Sequence, residues 1–256
     1  MDFDQEIGEI QRKAVQSQEG IGRRKIIMDS LAVASGQSIL DLGCGGGYQV
    51  RSLALAVGSE GRVVGVDPSL KQIEVAREYC SDLDNVEFTQ DSGTELSFRD
   101  GTFDSTTSTN VLDYIGDVNG VVAELRRVLR KGGRLCTVSC LWDHHRFHGA
   151  DPALNDRILH VFRNHCPHQM LPLELPTILL NNGFAGINSM PIPLLNMTMH
   201  NNAFARWTSK LIAAFAIGNG ISEDDVALWL RQLEEAERGG HFGFVSMSVL
   251  TTGVAI

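Results

Sequence analysis

An α/β fold is predicted, with a doubly wound, mostly parallel seven-stranded sheet and helical cap insertions, and three observations predict it. Short apolar runs alternate with amphipathic stretches over the first 140 residues, the rhythm of a parallel sheet with helices on both faces. The run Ile39-Leu40-Asp41-Leu42 breaks into the glycine turn Gly43-Cys44-Gly45-Gly46-Gly47. A second apolar run, Val63-Val64-Gly65-Val66, is closed by Asp67, 20 residues beyond those glycines.

The elements follow in order. Residues 3–16 and 21–33 read as helices, with Ile7, Ile10 and Ala14 on one face of the first. Strands are expected at 38–42, 62–66, 85–89, 103–109 and 134–141. Helices fall between them at 47–57, 69–80 and 117–130, the last with Val118, Val121, Val122, Leu125 and Leu129 spaced as an apolar stripe. After Leu141 the rhythm changes: residues 172–182 read as a helix ended by Gly183, 187–195 as a sixth strand and 242–255 as a seventh. Two stretches stand outside the plain sheet. Residues 142–171 and 196–240 leave it near the carboxyl ends of strands, where ligands bind in such sheets, and are expected to cap an acceptor pocket. The second reads as helices at 201–217 and 222–238, with Ser222 ahead of Asp224 and Asp225 as its start. The resulting division is one domain with an inserted cap. Residues 1–141 hold the N-terminal helices and core, 142–171 the first insertion, 172–195 more core, 196–240 the second insertion and 241–256 the final strand.

The glycine turn lets the backbone approach a ligand closely, and an acidic strand end accepts hydrogen bonds from ribose hydroxyls, so a nucleoside-bearing ligand is expected. Spacing separates two such ligands. A dinucleotide fingerprint counted from Gly43 wants glycine or alanine at position 48, where this chain has Tyr48. The pattern Asp41-x-Gly43-x-Gly45-x-Gly47 instead resembles motif I of the class I S-adenosylmethionine-dependent methyltransferases, a Rossmann-like family. Downstream stretches resemble it too: Asp67-Pro68-Ser69, Asp91-Ser92, Phe103-Asp104 with Thr109-Asn110-Val111-Leu112, and Leu129 to Leu135. Five motifs in family order is a strong match, and the branch it resembles is the ubiquinone and menaquinone C-methyltransferase-like group, type 11.

The resemblance implies S-adenosylmethionine as cofactor. It implies that Gly43, Cys44, Gly45 and Gly47 pass its methionine and ribose portion, that Asp67 with Pro68 holds the ribose, that Asp91 with Ser92 meets the adenine, and that Asn110 and Leu112 line the methyl-donor side. Asp41 is expected to orient the glycine loop through backbone amides without touching the ligand. Tyr48 and Tyr114 are candidates to shield a sulfonium. Each position also has a plain structural reading as turn, cap or core.

Composition excludes some functions. A formal charge of −9 with no lysine–arginine cluster argues against a nucleic-acid partner, and Arg126-Arg127 with Arg130-Lys131 fit a helix end. Five cysteines with no C-x-x-C spacing suit a reducing cytosol. The acidic Met1 to Glu6 stretch is not a secretory leader, and no apolar run reaches membrane-spanning length. A cytoplasmic protein without membrane insertion, monomeric or homodimeric, is expected.

All 8 histidines lie after residue 143. Trp142-Asp143-His144-His145-Arg146-Phe147-His148 follows the fifth strand directly, so His144 or His145 is a candidate general base for an acceptor that releases a proton. His144 and His148 have helical spacing, and His165 and His168 lie in the same insertion. Against a metal, Asp113 has no obvious acidic partner, and no metal is predicted. Trp142, Phe147, Phe162, Phe204, Trp207 and Phe215 favour a small, partly hydrophobic acceptor, whether its nucleophile is oxygen, nitrogen or carbon. The expected reaction is methyl transfer by in-line displacement. Two alternatives stay open: a member of the fold that binds the cofactor without methylating, as cyclase or binding module, and an arsenite-type methyltransferase. The second lacks a cysteine ahead of Cys44.

Overall fold

The computed structural model describes residues 6–256. The start of the first predicted helix, at residues 3–5, lies outside the described residues, as does most of the acidic N-terminal stretch. The chain divides into two compact units.

The sheet unit comprises residues 24–139, 171–191 and 249–256. Strands β1 (Ser38–Leu42), β2 (Arg62–Asp67), β3 (Val86–Gln90), β4 (Phe103–Thr109) and β5 (Leu129–Cys140) pair in parallel in the order β3-β2-β1-β4-β5. Strand β8 (Gly243–Ala255) comes next, and β7 (Phe184–Asn196) pairs with it. In β1 and β2 every residue after the first is buried, as parallel strands covered on both faces require. Helices α3 (Tyr48–Val57), α4 (Leu70–Tyr79), α5 (Val118–Val128) and α7 (Leu171–Asn181) belong to this unit. The apolar stripe of α5 was legible as spacing, and Val118, Val121, Val122, Leu125 and Val128 are buried with Leu40, Leu42, Val64 and Val66 in one core.

The helical unit comprises residues up to Arg23, then 140–170 and 192–248. It holds α1 (Glu6–Val15), the start of α2 (Gln18–Leu31), α6 (Pro152–Phe162), α8 (Phe204–Gly218) and α9 (Glu223–Arg238). Helix α1 packs on α8, and α6, α8 and α9 pack on one another around a second core that includes Phe147, Ile158, Ile212, Trp229 and Phe244. The Ser222 hydroxyl accepts from the Asp225 amide, so Ser222 starts α9 as its sequence predicts.

Two expectations need correction. The sheet has eight strands rather than seven, because β6 (Arg146–His148) pairs antiparallel with residues 243–245 of β8. Three residues are too few for an alternation to be read, and they lie inside the stretch taken as cap. The Lys131-Gly132-Gly133 turn expected between helix and strand is instead part of β5, which starts directly after α5. Gly132 takes φ +79° there and the register against β4 shifts between Phe103 and Ser105, so the excess residues are absorbed as a bulge. Among the described residues no helix is long and apolar enough to cross a membrane.

Candidate functional site

Strand order sets the site. β1 lies between β2 and β4, so the connections leaving its two neighbours run to opposite sides, and a crevice opens at the carboxyl ends. Register aligns those ends: Leu42 lies opposite Val66 and Ser108, and Asp67 opposite Gln90. Gly43 to Gly47, Asp67 with Pro68, Asp91 with Ser92, and Asn110 are therefore brought side by side.

The loop after β1 is held by backbone and by one carboxylate. The Gly43 and Cys44 amides both donate to the Val66 carbonyl, at 2.7 and 2.9 Å. Gly43 takes φ +71°, and a Cβ there would meet the Val111 side chain at 2.1 Å. Gly45 takes φ +49° with nothing within 4 Å of where a Cβ would stand, so it leaves an open cradle against which a ligand fits. Its amide donates to Asp67 Oδ2 at 2.9 Å, while the Ser69 amide donates to Asp67 Oδ1 at 2.9 Å. Asp67 thus ties the loop to the end of β2, the orienting work expected of Asp41.

Asp41 is 2% exposed, in register with Gly65 and Thr107. Burial, and then the charge of Asp67, push its carboxyl up to about 8, so it is protonated at neutral pH. Cys44 is also buried, and burial with the two carboxylates raises its thiol well above the usual range. It is a small packed side chain rather than a nucleophile.

Asp91 closes the turn after β3: Oδ1 accepts from the Ser92 amide at 2.9 Å and Oδ2 from the Ser97 amide at 2.8 Å. The Ser92 hydroxyl lies 2.9 Å from that of Thr94, and Gln90 Nε2 donates to the Pro68 carbonyl at 2.9 Å. Asn110 holds φ +54° at the end of β4, its amide on the Val138 carbonyl at 2.7 Å. Asparagine is among the few residues that enter this region readily. Leu112, on a 3₁₀ turn, is buried in the core of the unit.

Two neighbours of the loop escaped sequence reasoning. Gln49, in the first turn of α3, is 8% exposed, and among the described residues neither its amide nitrogen nor its oxygen has a hydrogen-bond partner. The Arg24 guanidinium lies over the Tyr48 ring at 6.0 Å, and burial lowers its pKa. A glutamine among apolar helix positions was the available signal for the first. Tyr48 also packs against Tyr79, 4.5 Å between ring centroids. Open space at Gly45, an acidic strand end and an unpartnered buried amide make a donor and acceptor set that fits an adenosyl sulfonium ligand.

The histidine-rich stretch belongs to the helical unit. His144 is exposed on the 3₁₀ turn Trp142–His144, and His145 is buried behind it. Both line a cavity of about 650 Å³ together with Trp142, Phe162 and Gln169. The His145 ring nitrogens lie 3.2 and 3.3 Å from the Ser246 hydroxyl, and its ring packs on Trp142 at 4.8 Å. Burial, with His165 adding to it, pushes His145 down to about 3. His165 stacks on Phe162 at 4.0 Å and is pushed down to about 4, again by burial first. His148 lies on β6, so the helical spacing with His144 is not realised. Among the described residues no group of three or more His, Cys, Asp or Glu is arranged to hold a metal ion.

Residues 40–137 match the family model described as a methyltransferase domain. The chain is 34% identical over 170 residues to an uncharacterised 37.1 kDa protein of transposon TN4556 from Streptomyces fradiae, covering 66% of this chain and 49% of that protein. It is 36% identical over 110 residues to the demethylmenaquinone methyltransferase of Staphylococcus aureus, covering 43% of this chain and 46% of that protein. The matched stretches thus span about half the length of these relatives. Among solved structures, the YcgJ protein from Bacillus subtilis shares the fold, with TM-score 0.60 and 20% identity over 91% of this chain and 97% of that one.

Proposed function

We propose that this chain, which belongs to the class I S-adenosylmethionine-dependent methyltransferases of the ubiquinone and menaquinone type, transfers a methyl group to a small, partly hydrophobic acceptor. S-adenosylmethionine, when bound, would supply an electrophilic methyl on a sulfonium to the nucleophilic atom of the acceptor. The chain's own part is binding, orientation and exclusion of water. Backbone at Gly43, Cys44, Gly45 and Gly47 receives the methionine and ribose portion. Each Asp67 oxygen accepts one amide, which fixes the carboxylate at the end of β2 where a ribose would lie. Pro68 stands with Asp67 at the ribose, Asp91 with Ser92 meets the adenine, and Asn110 with Leu112 shapes the methyl-donor side.

Where the acceptor releases a proton, His144 and His145 are the candidate bases, and burial, which pushes His145 down to about 3, makes its ring the weaker of the two candidates. A cytoplasmic protein acting on a free small molecule, without nucleic acid, completes the reading.

The observation that carries the proposal is the Gly45 amide on Asp67 beside the open cradle. Calorimetric titration with S-adenosylhomocysteine, S-adenosylmethionine and NAD tests it. Binding of both adenosyl ligands and not NAD, weakened in Asp67→Ala, is expected, and binding of NAD alone overturns it. Acceptor turnover that releases S-adenosylhomocysteine in step with product separates methyl transfer from cofactor binding without consumption.

A further inference from the structure

The cavity of the helical unit has a second property beside its histidines. Two ion pairs stand on its wall: Arg146 Nη1 lies 2.6 Å from Asp156 Oδ1, and Arg163 Nε lies 3.0 Å from Asp143 Oδ1. All four charged side chains are partly open to solvent. The formal charges of the two pairs cancel, so an isolated anion or cation is repelled by one member of a pair about as strongly as it is attracted by the other. A ligand that carries both signs meets both members favourably.

The rest of the wall mixes rings and polar groups: Trp142, Leu159 and Phe162 stand beside His144, His145, His160 and Gln169. Trp142 and Phe162 meet edge to face at 6.2 Å, and His165 covers the Phe162 face at 4.0 Å. The half-buried Trp142 indole with Leu159 is therefore the apolar part of the wall that a planar ring can pack against. The charged rim is held in place: Gln169 Nε2 donates to the Arg163 carbonyl at 2.5 Å, and the Trp142 amide donates to the Gln169 carbonyl at 2.9 Å. One guanidinium and the indole are therefore carried on mutually bonded backbone. A volume of about 650 Å³ lies in the usual range for small-molecule pockets.

We propose that this cavity is a binding site for a zwitterionic aromatic small molecule of the aromatic amino-acid class, with its ring against Trp142 and Leu159 and its carboxylate and ammonium on the Arg163–Asp143 and Arg146–Asp156 pairs. Its role as methyl acceptor rests on the methyl-transfer reading; its binding here does not.

Four indole probes that differ in charge test the assignment by calorimetry on the full chain: L-tryptophan (both signs), tryptamine (cation), indole-3-propionate (anion) and indole (neutral). L-tryptophan is expected to bind at least roughly tenfold more tightly than the other three. Asp143→Asn leaves the wall with a surplus cation, so indole-3-propionate should overtake L-tryptophan. Arg163→Gln leaves a surplus anion, and tryptamine should overtake it. Both changes fall on solvent-accessible side chains, which keeps the fold intact. Arg157→Gln breaks the ion pair with Asp225, whose residues are not in the cavity wall, and should leave the order unchanged. Indole binding as tightly as L-tryptophan, no binding by any probe, or an order unmoved by the two charge variants overturns the inference. Titration with S-adenosylhomocysteine on the same samples separates the failures: its binding without L-tryptophan overturns this site alone, and L-tryptophan binding without it overturns the methyl-transfer reading alone.

Discussion

Asp41, one residue inside the end of β1, and Asp67, at the end of β2, stand on neighbouring strands, yet one carboxylate is neutralised by its surroundings and the other is held by amides. Because burial raises Asp41 to about 8, the folded chain binds a proton there that the unfolded chain lacks above pH 4. A raised carboxyl contributes stability that is complete below its unfolded pKa and is lost as pH rises through the folded one. Between pH 4 and 8 the loss is ~1.4 kcal/mol per pH unit. Asp41→Asn should therefore raise the unfolding midpoint more at pH 8 than at pH 5, read by urea denaturation at both; an equal shift at the two would overturn the protonation. Asp67→Asn removes one acceptor from the Gly45 or Ser69 amide, a bond to a charged group worth ~1.5–3 kcal/mol. S-adenosylhomocysteine affinity should fall roughly tenfold to a hundredfold, checked by calorimetry. Asp67 was legible from its distance to the glycines. That Asp67 rather than Asp41 holds the loop was not, since both are acidic residues at or next to the end of an apolar run and only the turn decides which amides each one meets.

Among the elements, β4 is a buried strand made of hydroxyls. Ser105, Thr106, Thr107 and Ser108 are at most 1% exposed, and none of their side-chain oxygens has a hydrogen-bond partner among the described residues. Sequence placed the strand correctly because threonine is β-branched and Phe103 opens an otherwise turn-free run, but no pattern revealed burial on both faces. Thr106→Val keeps the shape and removes the unpaired hydroxyl, so it should stabilise by roughly 1 kcal/mol in thermal unfolding. The buried histidines near the turn Trp142–His144 act in the opposite sense to Asp41. His145 near 3 and His165 near 4 are neutral in the fold, whereas unfolded histidine takes a proton below about 6.5. Their contribution is complete above that pH and is lost as pH falls toward 4, at ~1.4 kcal/mol per unit for each ring. His165→Phe should lower stability at pH 7, where the bond from its ring to the Phe162 carbonyl at 2.7 Å is lost, and recover relative to wild type at pH 5. A constant difference between the two pH values would argue against a neutral ring.

For the whole molecule, the formal charge of −9 governs partners. A labelled DNA duplex at ~0.15 M salt should show no change in fluorescence anisotropy on adding the chain, and a complex that weakens with salt would overturn that expectation. The positions of the first four strands, the glycine loop and the acidic strand end were all readable without coordinates, because each is written in residues close together: an apolar run, a turn needing positive φ, a carboxylate at fixed spacing. The eighth strand, the protonated Asp41, the unpartnered Gln49 and the paired charges of the cavity were not. Each depends on which distant segments pack together. Burial, desolvation and the meeting of Arg163 with Asp143 are properties of that packing, so they were decided by the tertiary structure alone.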